Sequence, residues 1–206
     1  MAREREDKCK KCRRLNTKLF LKGERCYSNK CSLEKRKSAT SFGERRLSEY
    51  GQQLREKQKA RWIYGLSETQ FKRYFQMAER SKNITGEELL RLLERRLDNV
   101  VYKLGMSSSR DQARQLIVHG HLMVNGQKVN IPSYLLKEGD VIEVKKKNKK
   151  VLSMIKENLQ ASEKRVIPEW LEMDRTSLKG RVKRLPRQEE LNQELNLPLI
   201  VEYYSR

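Results

Sequence analysis

The sequence predicts an α+β protein in which helices and a small antiparallel sheet occupy different parts of the chain. Apolar residues recur at helical spacing through most of residues 67–119, and between 122 and 144 they alternate as in strands. All four cysteines lie in the first 31 residues. We therefore expect a basic N-terminal extension (1–46), an all-α domain (47–95), a mixed domain (96–183) and a C-terminal segment (184–206) that docks on the all-α domain.

The N-terminal extension contains two close cysteine pairs, Cys9 with Cys12 and Cys26 with Cys31. Two such pairs separated by a loop can bring four thiolates to one tetrahedral ion. The segment has too few apolar residues to offset the entropy of ordering about 45 residues, and a structural metal would supply that stability. We expect a zinc knuckle with one structural zinc ion, while an iron–sulfur cluster and disulfide bonds stay open as alternatives.

The formal net charge of +20 favours a polyanionic partner, most often nucleic acid. Within the extension we expect a ring of cations around the knuckle to face phosphate, although incidental charge on a purely structural knuckle is the alternative. The candidate RNA-binding residues of the extension are Lys10, Lys11, Arg13, Arg14, Lys18, Lys22, Arg45 and Arg46. The sequence shows neither an apolar run of membrane-spanning length nor a signal-peptide core, so we expect no membrane partner.

The all-α domain is predicted to contain three helices. The first is mostly polar and runs from Leu47 to Tyr64, and the others are capped by Ser67 and Thr85, each followed three residues later by Gln or Glu. A dense cationic run on the first helix supplies further RNA-binding candidates, and a solvated face is the alternative explanation for it. These candidates are Arg55, Lys57, Lys59 and Arg61.

The mixed domain is predicted to begin with a helix that ends at Gly105, followed by a second helix that Ser109 caps and that ends near His119. Asn125-Gly126 then predicts a type I′ hairpin, and residues 141–144 form a third strand. Further along the chain we expect an amphipathic helix through 151–159 and a second hairpin at 170–182 that extends the sheet.

The charges of the mixed domain suggest a phosphate site. Arg110 and Arg114 are four residues apart at the start of the second helix, so we expect them to project together from its solvent-exposed face. A helix N-terminus with two arginines offers backbone N–H groups and positive charge to phosphate. The candidate RNA-binding residues of this domain are Lys103, Arg110, Arg114, His119, His121 and Lys128.

The run SRDQARQLIVHGHLMVNGQKV, with the flanking VVYKLG, IPSYL and EGD-VIEV, resembles the S-four RNA-binding domain. With the cysteine spacing, LREKQKARWIYGLSETQF, RLDNVVYKLG and the terminal VEYYSR, nearly the whole chain resembles the bacterial small-subunit ribosomal protein four family in its zinc-knuckle form. The residues KSATSFGERR depart from the Pro/Gly-rich basic loop usual in that family.

This resemblance implies a cytoplasmic, non-enzymatic constituent of the small ribosomal subunit that binds the 5′ domain of small-subunit rRNA and nucleates assembly. It also implies a place beside neighbouring ribosomal proteins where mRNA enters the subunit, a contribution to translational fidelity and, as in some members, repression of its own mRNA. By resemblance, the cysteines Cys9, Cys12, Cys26 and Cys31 are metal ligands, and Arg55, Lys59, Arg61, Arg110, Arg114 and Lys128 contact rRNA.

Two other classes of function are compatible with an S-four domain. An RNA-modifying enzyme could use the domain for targeting, but it would need a separate catalytic domain for which this chain has no room. The sequence also offers no nucleophile and base pair, since both histidines flank Gly120 and the cysteines are assigned to metal. An RNA-binding stress factor is the other alternative, and it differs from a ribosomal protein in its partner.

Overall fold

The computed structural model describes residues 6–37, 47–145, 147–163, 165–191 and 194–205. These residues divide into two compact units, one containing those up to 89 and from 194 onward, the other those from 90 to 191. Residues 90–95 and 184–191 therefore belong to the second unit, whereas the sequence boundaries placed them in the all-α domain and the C-terminal segment. The basic stretch 38–46, including Arg45 and Arg46, lies outside the described residues.

The first unit is built from α1 (Lys8–Arg14), α2 (Glu34–Lys37), α3 (Glu49–Ile63), α4 (Glu68–Glu79), the beginning of α5 (Thr85–Glu94) and α9 (Leu197–Tyr204). The second unit is built from the rest of α5, α6 (Leu97–Lys103), α7 (Arg110–Val118), β1 (Leu122–Val124), β2 (Gln127–Lys128), β3 (Val141–Val144), α8 (Lys149–Ala161), β4 (Leu171–Asp174) and β5 (Lys179–Val182). No helix within the described residues is both long and apolar enough to span a bilayer.

In the first unit, the C-terminal helix α9 packs against α3 and α4. The ring of Tyr204 lies 4.5 Å from that of Phe75 and 6.3 Å from that of Phe71, measured between centroids. Both phenylalanines are buried, as their helical spacing predicts. Asn196 caps α9 by accepting a hydrogen bond from the backbone N–H of Leu199, so the segment whose secondary structure the sequence left open is helical.

Of two helix starts predicted in this unit, one is capped as expected and the other is not. The Ser67 hydroxyl accepts a hydrogen bond from the backbone N–H of Gln70, as a cap should. Thr85 is instead the first residue of α5, whereas a capping residue would precede the helix. The Glu88 carboxylate accepts a hydrogen bond from the Asn83 side chain, so it is engaged outside the predicted capping box.

In the second unit, α6, α7 and α8 pack on a five-stranded antiparallel sheet with the strand order β2-β1-β3-β5-β4. Asn125 and Gly126 have φ angles of +50° and +77°, as a type I′ turn requires, and Val124 pairs with Gln127 across it. Strand β5 pairs with β3, so the second hairpin extends the sheet as predicted. The shared core includes Leu104, Ile117 and the fully buried Trp170.

Candidate RNA interface

A basic groove of about 430 Å³ lies in the second unit, between the end of α7, the β1–β2 hairpin and the start of α8. We call the following lining residues the basic groove: His119, Gly120, His121, Lys128, Lys145, Lys147, Asn148, Lys149 and Lys150. Five lysines and two histidines line it, and no acidic side chain is among the lining residues. Its charge and its concave shape suit a phosphate-bearing ligand.

The backbone at the end of α7 brings cationic side chains close to one another in the groove. Gly120 has a φ of +69°, and a Cβ atom built there would lie 2.3 Å from Cε of Lys128. The left-handed backbone favours glycine here, and the absence of a Cβ atom lets the flexible Lys128 side chain approach closely. The backbone N–H of Lys145 donates to the carbonyl of His121 at 2.8 Å, which fixes the end of β3 beside the helix. Cations near a helix C-terminus are favoured by its dipole.

The start of α8 forms the other side of the basic groove. Asn148 caps this 13-residue helix by accepting hydrogen bonds from the backbone N–H groups of Lys150 and Val151 at 3.0 and 3.3 Å. Lys147, Lys149 and Lys150 are exposed. The positive end of the α8 dipole thus adds to the lysine charges and favours an anion in the groove.

The structure brings together His119, His121 and Lys128, which the sequence predicts as binding residues. Four further lining lysines, Lys145, Lys147, Lys149 and Lys150, were not predicted as site residues. The available signal was the run KKKNKK, which the sequence analysis left without a binding role. Only the packing of α8 beside the hairpin shows that Lys145, the residues 147–150 and the α7 terminus line one groove.

The arginines at the start of α7 do not project freely from a solvent-exposed face, so that prediction is wrong. Nε of Arg110 donates to Oδ1 of Asn99 at 2.8 Å, and its guanidinium lies 4.6 Å from the centroid of the Tyr102 ring. Nε of Arg114 donates to Oδ2 of Asp98 at 2.7 Å. Partners on α6 therefore engage both side chains, for which helical spacing alone gives no signal.

Asp98 explains why Arg114 turns inward. Its carboxylate is 1% exposed and also accepts hydrogen bonds from Nε and Nη2 of Arg96 at 3.0 and 2.8 Å. Burial by itself would raise the pKa of Asp98, but the charges and hydrogen bonds of Arg96 and Arg114 outweigh it and lower the pKa. A buried carboxylate needs such partners, so these arginines stabilise the fold.

Lys103 is likewise engaged by the protein. Its Nζ lies 2.7 Å from Oε2 of Glu94, a residue that is 1% exposed. The same carboxylate oxygen accepts a hydrogen bond from Nδ2 of Asn99 at 2.7 Å. Lys103 therefore neutralises a buried acid next to the Asp98 cluster, a role that the sequence analysis did not assign to it.

The cations of α3 also have partners within the first unit. Lys57 is only 3% exposed, and its Nζ lies 2.7 Å from Oε1 of Glu68 and 4.4 Å from the centroid of the Tyr203 ring. Burial would raise the pKa of Glu68, but hydrogen bonds from Lys57 and Tyr204 outweigh it and lower the pKa. Lys57, which the sequence named as an RNA-binding candidate, is instead covered by the packing of α9.

The other three α3 candidates are partly buried. Nη2 of Arg55 donates to the carbonyl of Leu15 at 2.5 Å, and Nη1 of Arg61 lies 3.5 Å from Oε2 of Glu68. Nζ of Lys59 donates to the carbonyl of Glu194. Their predicted contacts with rRNA stay predictions, and the structure shows that these side chains also hold the unit together.

The N-terminal extension has both exposed and engaged cations. Lys10, Arg13 and Lys22 are exposed. Arg14 is paired with Glu6 at 2.8 Å and Lys18 with Glu34. Lys11 is 5% exposed, and its Nζ lies 5.7 Å from the centroid of the Trp62 ring. A continuous cationic ring around the knuckle is therefore not formed, because Lys11 packs on α3.

The four cysteines are partly exposed and not joined by disulfide bonds. Burial is the main reason that the pKa of the Cys12 thiol is raised, and the charges of Cys26, Cys9 and Cys31 act in the same direction. The two pairs thus lie within electrostatic range of each other, and four thiols are a donor set that suits zinc. In the described part of the chain, however, no three Cys, His, Asp or Glu side chains are gathered in a metal-holding arrangement. The zinc knuckle stays a prediction.

Two known protein families match successive parts of the chain. The family described as "Ribosomal protein S4/S9 N-terminal domain" matches residues 3–94, and the family described as "S4 domain" matches residues 95–142. The second match covers α6, α7, β1 and β2, and it includes the groove residues His119, Gly120, His121 and Lys128. These matches define the class as an S4-domain RNA-binding protein.

The curated relatives are similar to this chain along its entire length. "Small ribosomal subunit protein uS4" from Geotalea daltonii is 53% identical over 209 aligned positions that cover all of both chains. The proteins of the same name from Geotalea uraniireducens and Pelotomaculum thermopropionicum are 52% and 53% identical, again over all of both chains. The chain therefore belongs to the uS4 family of small ribosomal subunit proteins.

Proposed function

We propose that this chain is a structural constituent of the small ribosomal subunit in the cytoplasm and binds small-subunit rRNA through the basic groove. The observation that carries the proposal is the convergence of five lysines and two histidines on a capped helix N-terminus, without an acidic residue in the lining. Full-length similarity to proteins named as small ribosomal subunit components supports the cellular context. The chain is a structural protein of this family and not an enzyme.

The recognition mode follows from the chemistry of the groove. Lysine ammonium groups are flexible point charges that bind phosphate oxygens without reading base edges. In A-form RNA the deep major groove hides the base edges, so the positions of protein cations relative to folded phosphates provide specificity. The groove therefore recognises the shape of a folded RNA junction.

In finer detail, the chain binds the 5′ domain of small-subunit rRNA and nucleates assembly of the subunit. It contacts neighbouring small-subunit ribosomal proteins, lines the side where mRNA enters and contributes to translational fidelity. Repression of its own mRNA, as in some members of the family, is a further role that we propose for it. Resemblance to the family supports these roles, and the high net charge of +20 is consistent with extensive RNA contact.

A structural zinc ion would be held by Cys9, Cys12, Cys26 and Cys31. Support comes from the four free cysteines of one short segment, spaced as two close pairs. When bound, zinc would link α1 to the turn before α2 and stabilise a segment whose buried apolar residues are few, chiefly Leu15, Leu19 and Leu33.

The first test is a salt titration of binding to the 5′ domain RNA, with a scrambled RNA for comparison. We expect preference for the 5′ domain and a steep loss of affinity with salt, since each phosphate contact releases counterions. Zinc analysis before and after metal stripping tests the knuckle in the same experiment, because loss of one ion together with affinity would connect the metal to binding. Equal affinity for the scrambled RNA would contradict the proposed function.

The double variant Lys128→Ala/Lys149→Ala tests the groove itself. It should weaken binding and make the slope of log K against log salt shallower by about two, or roughly one for each lysine removed. The matched control is Lys72→Ala/Lys156→Ala, which removes the same charge from exposed positions outside the groove. An equal loss in the control would show that net charge, not the groove, determines affinity.

A further inference from the structure

The N-terminal extension presents an aromatic surface that the basic groove does not include. Tyr27 follows the 3₁₀ turn Gly23–Cys26 and is 60% exposed. Its ring stacks on that of Phe20, with a centroid distance of 4.9 Å and an interplanar angle of 27°. We call these two residues the aromatic platform.

The backbone that supports the platform is held in an unusual conformation. Phe20 has a φ of +49°, in the left-handed region that bulky side chains seldom adopt. Such a conformation persists only where the surrounding structure enforces it, and it is often associated with a functional site. On the other side of the stack, the backbone N–H of Tyr27 donates to the carbonyl of Glu24 at 2.9 Å. The platform is therefore preorganised.

Cationic residues flank Tyr27 in the chain. The turn that carries Tyr27 forms an open pocket of about 620 Å³ lined by Glu24, Arg25, Ser28, Lys30 and Lys35. Three positive charges oppose one negative charge in this lining. The hydroxyl of Ser28 donates to the carbonyl of Arg25, and the backbone N–H of Lys30 donates to the Ser28 hydroxyl, so the turn is braced by its own hydrogen bonds. An exposed ring on a turn that also carries cations suits a nucleobase and its phosphate.

We propose that the aromatic platform binds one unpaired nucleotide of RNA, whose base stacks on Tyr27 while its phosphate lies among Arg25, Lys30 and Lys35. This proposal rests on the proposed function and adds to it a site for single-stranded RNA. Stacking requires an exposed aromatic face and a rigid support, and the platform supplies both. The net positive lining favours nucleic acid over an apolar protein surface as the occupant.

The test uses the full chain and the 5′ domain RNA. Tyr27→Leu keeps an apolar side chain but removes the aromatic face, so affinity should fall roughly 5- to 150-fold with an unchanged salt slope. Tyr27→Phe should bind within about twofold of wild type, because it keeps the ring. The matched control is Tyr50→Leu, which removes a 49% exposed tyrosine that lies 5.8 Å from the Tyr203 ring in the same unit.

Tyr27→Trp provides a second readout that does not depend on the stability of Tyr27→Leu. The new indole is exposed, whereas both native tryptophans are buried, and a stacked base should quench its emission when RNA binds. Chemical probing should show one unpaired base that is protected by wild type and by Tyr27→Phe but reactive with Tyr27→Leu.

The outcomes separate the two proposals. If wild type prefers the 5′ domain but Tyr27→Leu binds as tightly and the Tyr27→Trp emission does not change, the aromatic platform is not a nucleotide site and the proposed function stands. If Tyr50→Leu weakens binding as much as Tyr27→Leu, the loss is not specific to the platform and the proposal is overturned. If wild type shows no preference for the 5′ domain, the proposed function itself fails.

Discussion

At the start of α7, Arg110 and Arg114 turn towards Asn99 and Asp98 on the preceding helix, whereas at its end His119 and His121 line an open groove. Both ends are rich in positive charge in the sequence. The first end meets a carboxylate that is 1% exposed, and the second meets further lysines from β3 and the start of α8. Whether a buried carboxylate lies nearby therefore determines whether a cation supports the fold or can bind a ligand.

The same contrast holds between α3 and the groove. Lys57 pairs with Glu68 beneath the rings of Tyr203 and Tyr204, while Lys147, Lys149 and Lys150 are exposed around a cavity without acidic lining. A count of lysines and arginines treats these groups as equal. Their surroundings separate them, because a lysine in a buried ion pair cannot be removed without leaving a buried charge uncompensated, whereas exposed lysines are able to bind phosphate.

Asp98→Asn should have the largest effect on stability among the changes that test this contrast. It removes the charge that two arginines surround and takes the Asp98 carboxylate away from Arg96, which is 2% exposed. We expect a loss of about 3–5 kcal/mol in the free energy of unfolding, measured by urea denaturation. Glu172→Gln is the control, since its exposed pair with Lys183 at 3.8 Å should contribute less than about 1 kcal/mol.

The pH dependence of stability provides a second, smaller test of Asp98. Its folded pKa is lowered from an ordinary value of 3.8, so its charge stabilises the fold above that value. The contribution is lost as the pH falls through the folded pKa. The difference in unfolding free energy between wild type and Asp98→Asn should therefore be constant near neutral pH and narrow below about pH 4. A difference that widened with acid would contradict the assigned direction.

Arg114→Gln should reduce stability less than Asp98→Asn, by about 1–3 kcal/mol, because Asp98 keeps its bonds to Arg96. The Arg114 side chain is 21% exposed, so its pair with Asp98 is only partly screened by solvent. Thermal or urea unfolding of the isolated protein measures the effect. Unchanged stability would show that Arg114 does not support the fold and is available for RNA.

Asn148→Ala should have the smallest effect on stability, about 1 kcal/mol, since it removes the hydrogen bonds that cap α8. Fraying of the first turn would also loosen Lys149 and Lys150, so RNA affinity should fall modestly although no charge is lost. Asn148→Ser restores a capping oxygen and should recover both properties. If Asn148→Ala weakened stability but left affinity unchanged, the position of these lysines would not matter for binding.

The sequence predicted the elements whose causes are local. The Ser67 and Ser109 caps, the glycine end of α6 and the Asn125-Gly126 turn are each specified by a few adjacent residues, and the structure contains all of them. The capping of α7 shows the limit of such patterns. Ser109 accepts from Gln112 as predicted, but the Gln112 side chain accepts from Ser108 instead of closing a reciprocal box.

The interactions that the sequence did not predict connect residues distant in the chain. Arg114 meets Asp98 across 16 residues, and Tyr204 donates to Glu68 across 136. The groove unites the end of α7 with the start of α8, about 30 residues later, through the packing of both on the sheet. Spacing within one helix identifies residues that share a face, but it does not show what that face contacts.

The most direct test of this distinction compares two single variants, Lys149→Gln and Arg114→Gln, each of which removes one positive charge. The slope of log K against log salt for binding to the 5′ domain RNA is measured for both at a temperature where both are folded. We predict a slope shallower by about one for Lys149→Gln and an unchanged slope for Arg114→Gln. A shallower slope for Arg114→Gln with no change for Lys149→Gln would place the RNA at the start of α7 and contradict the assignment of the basic groove.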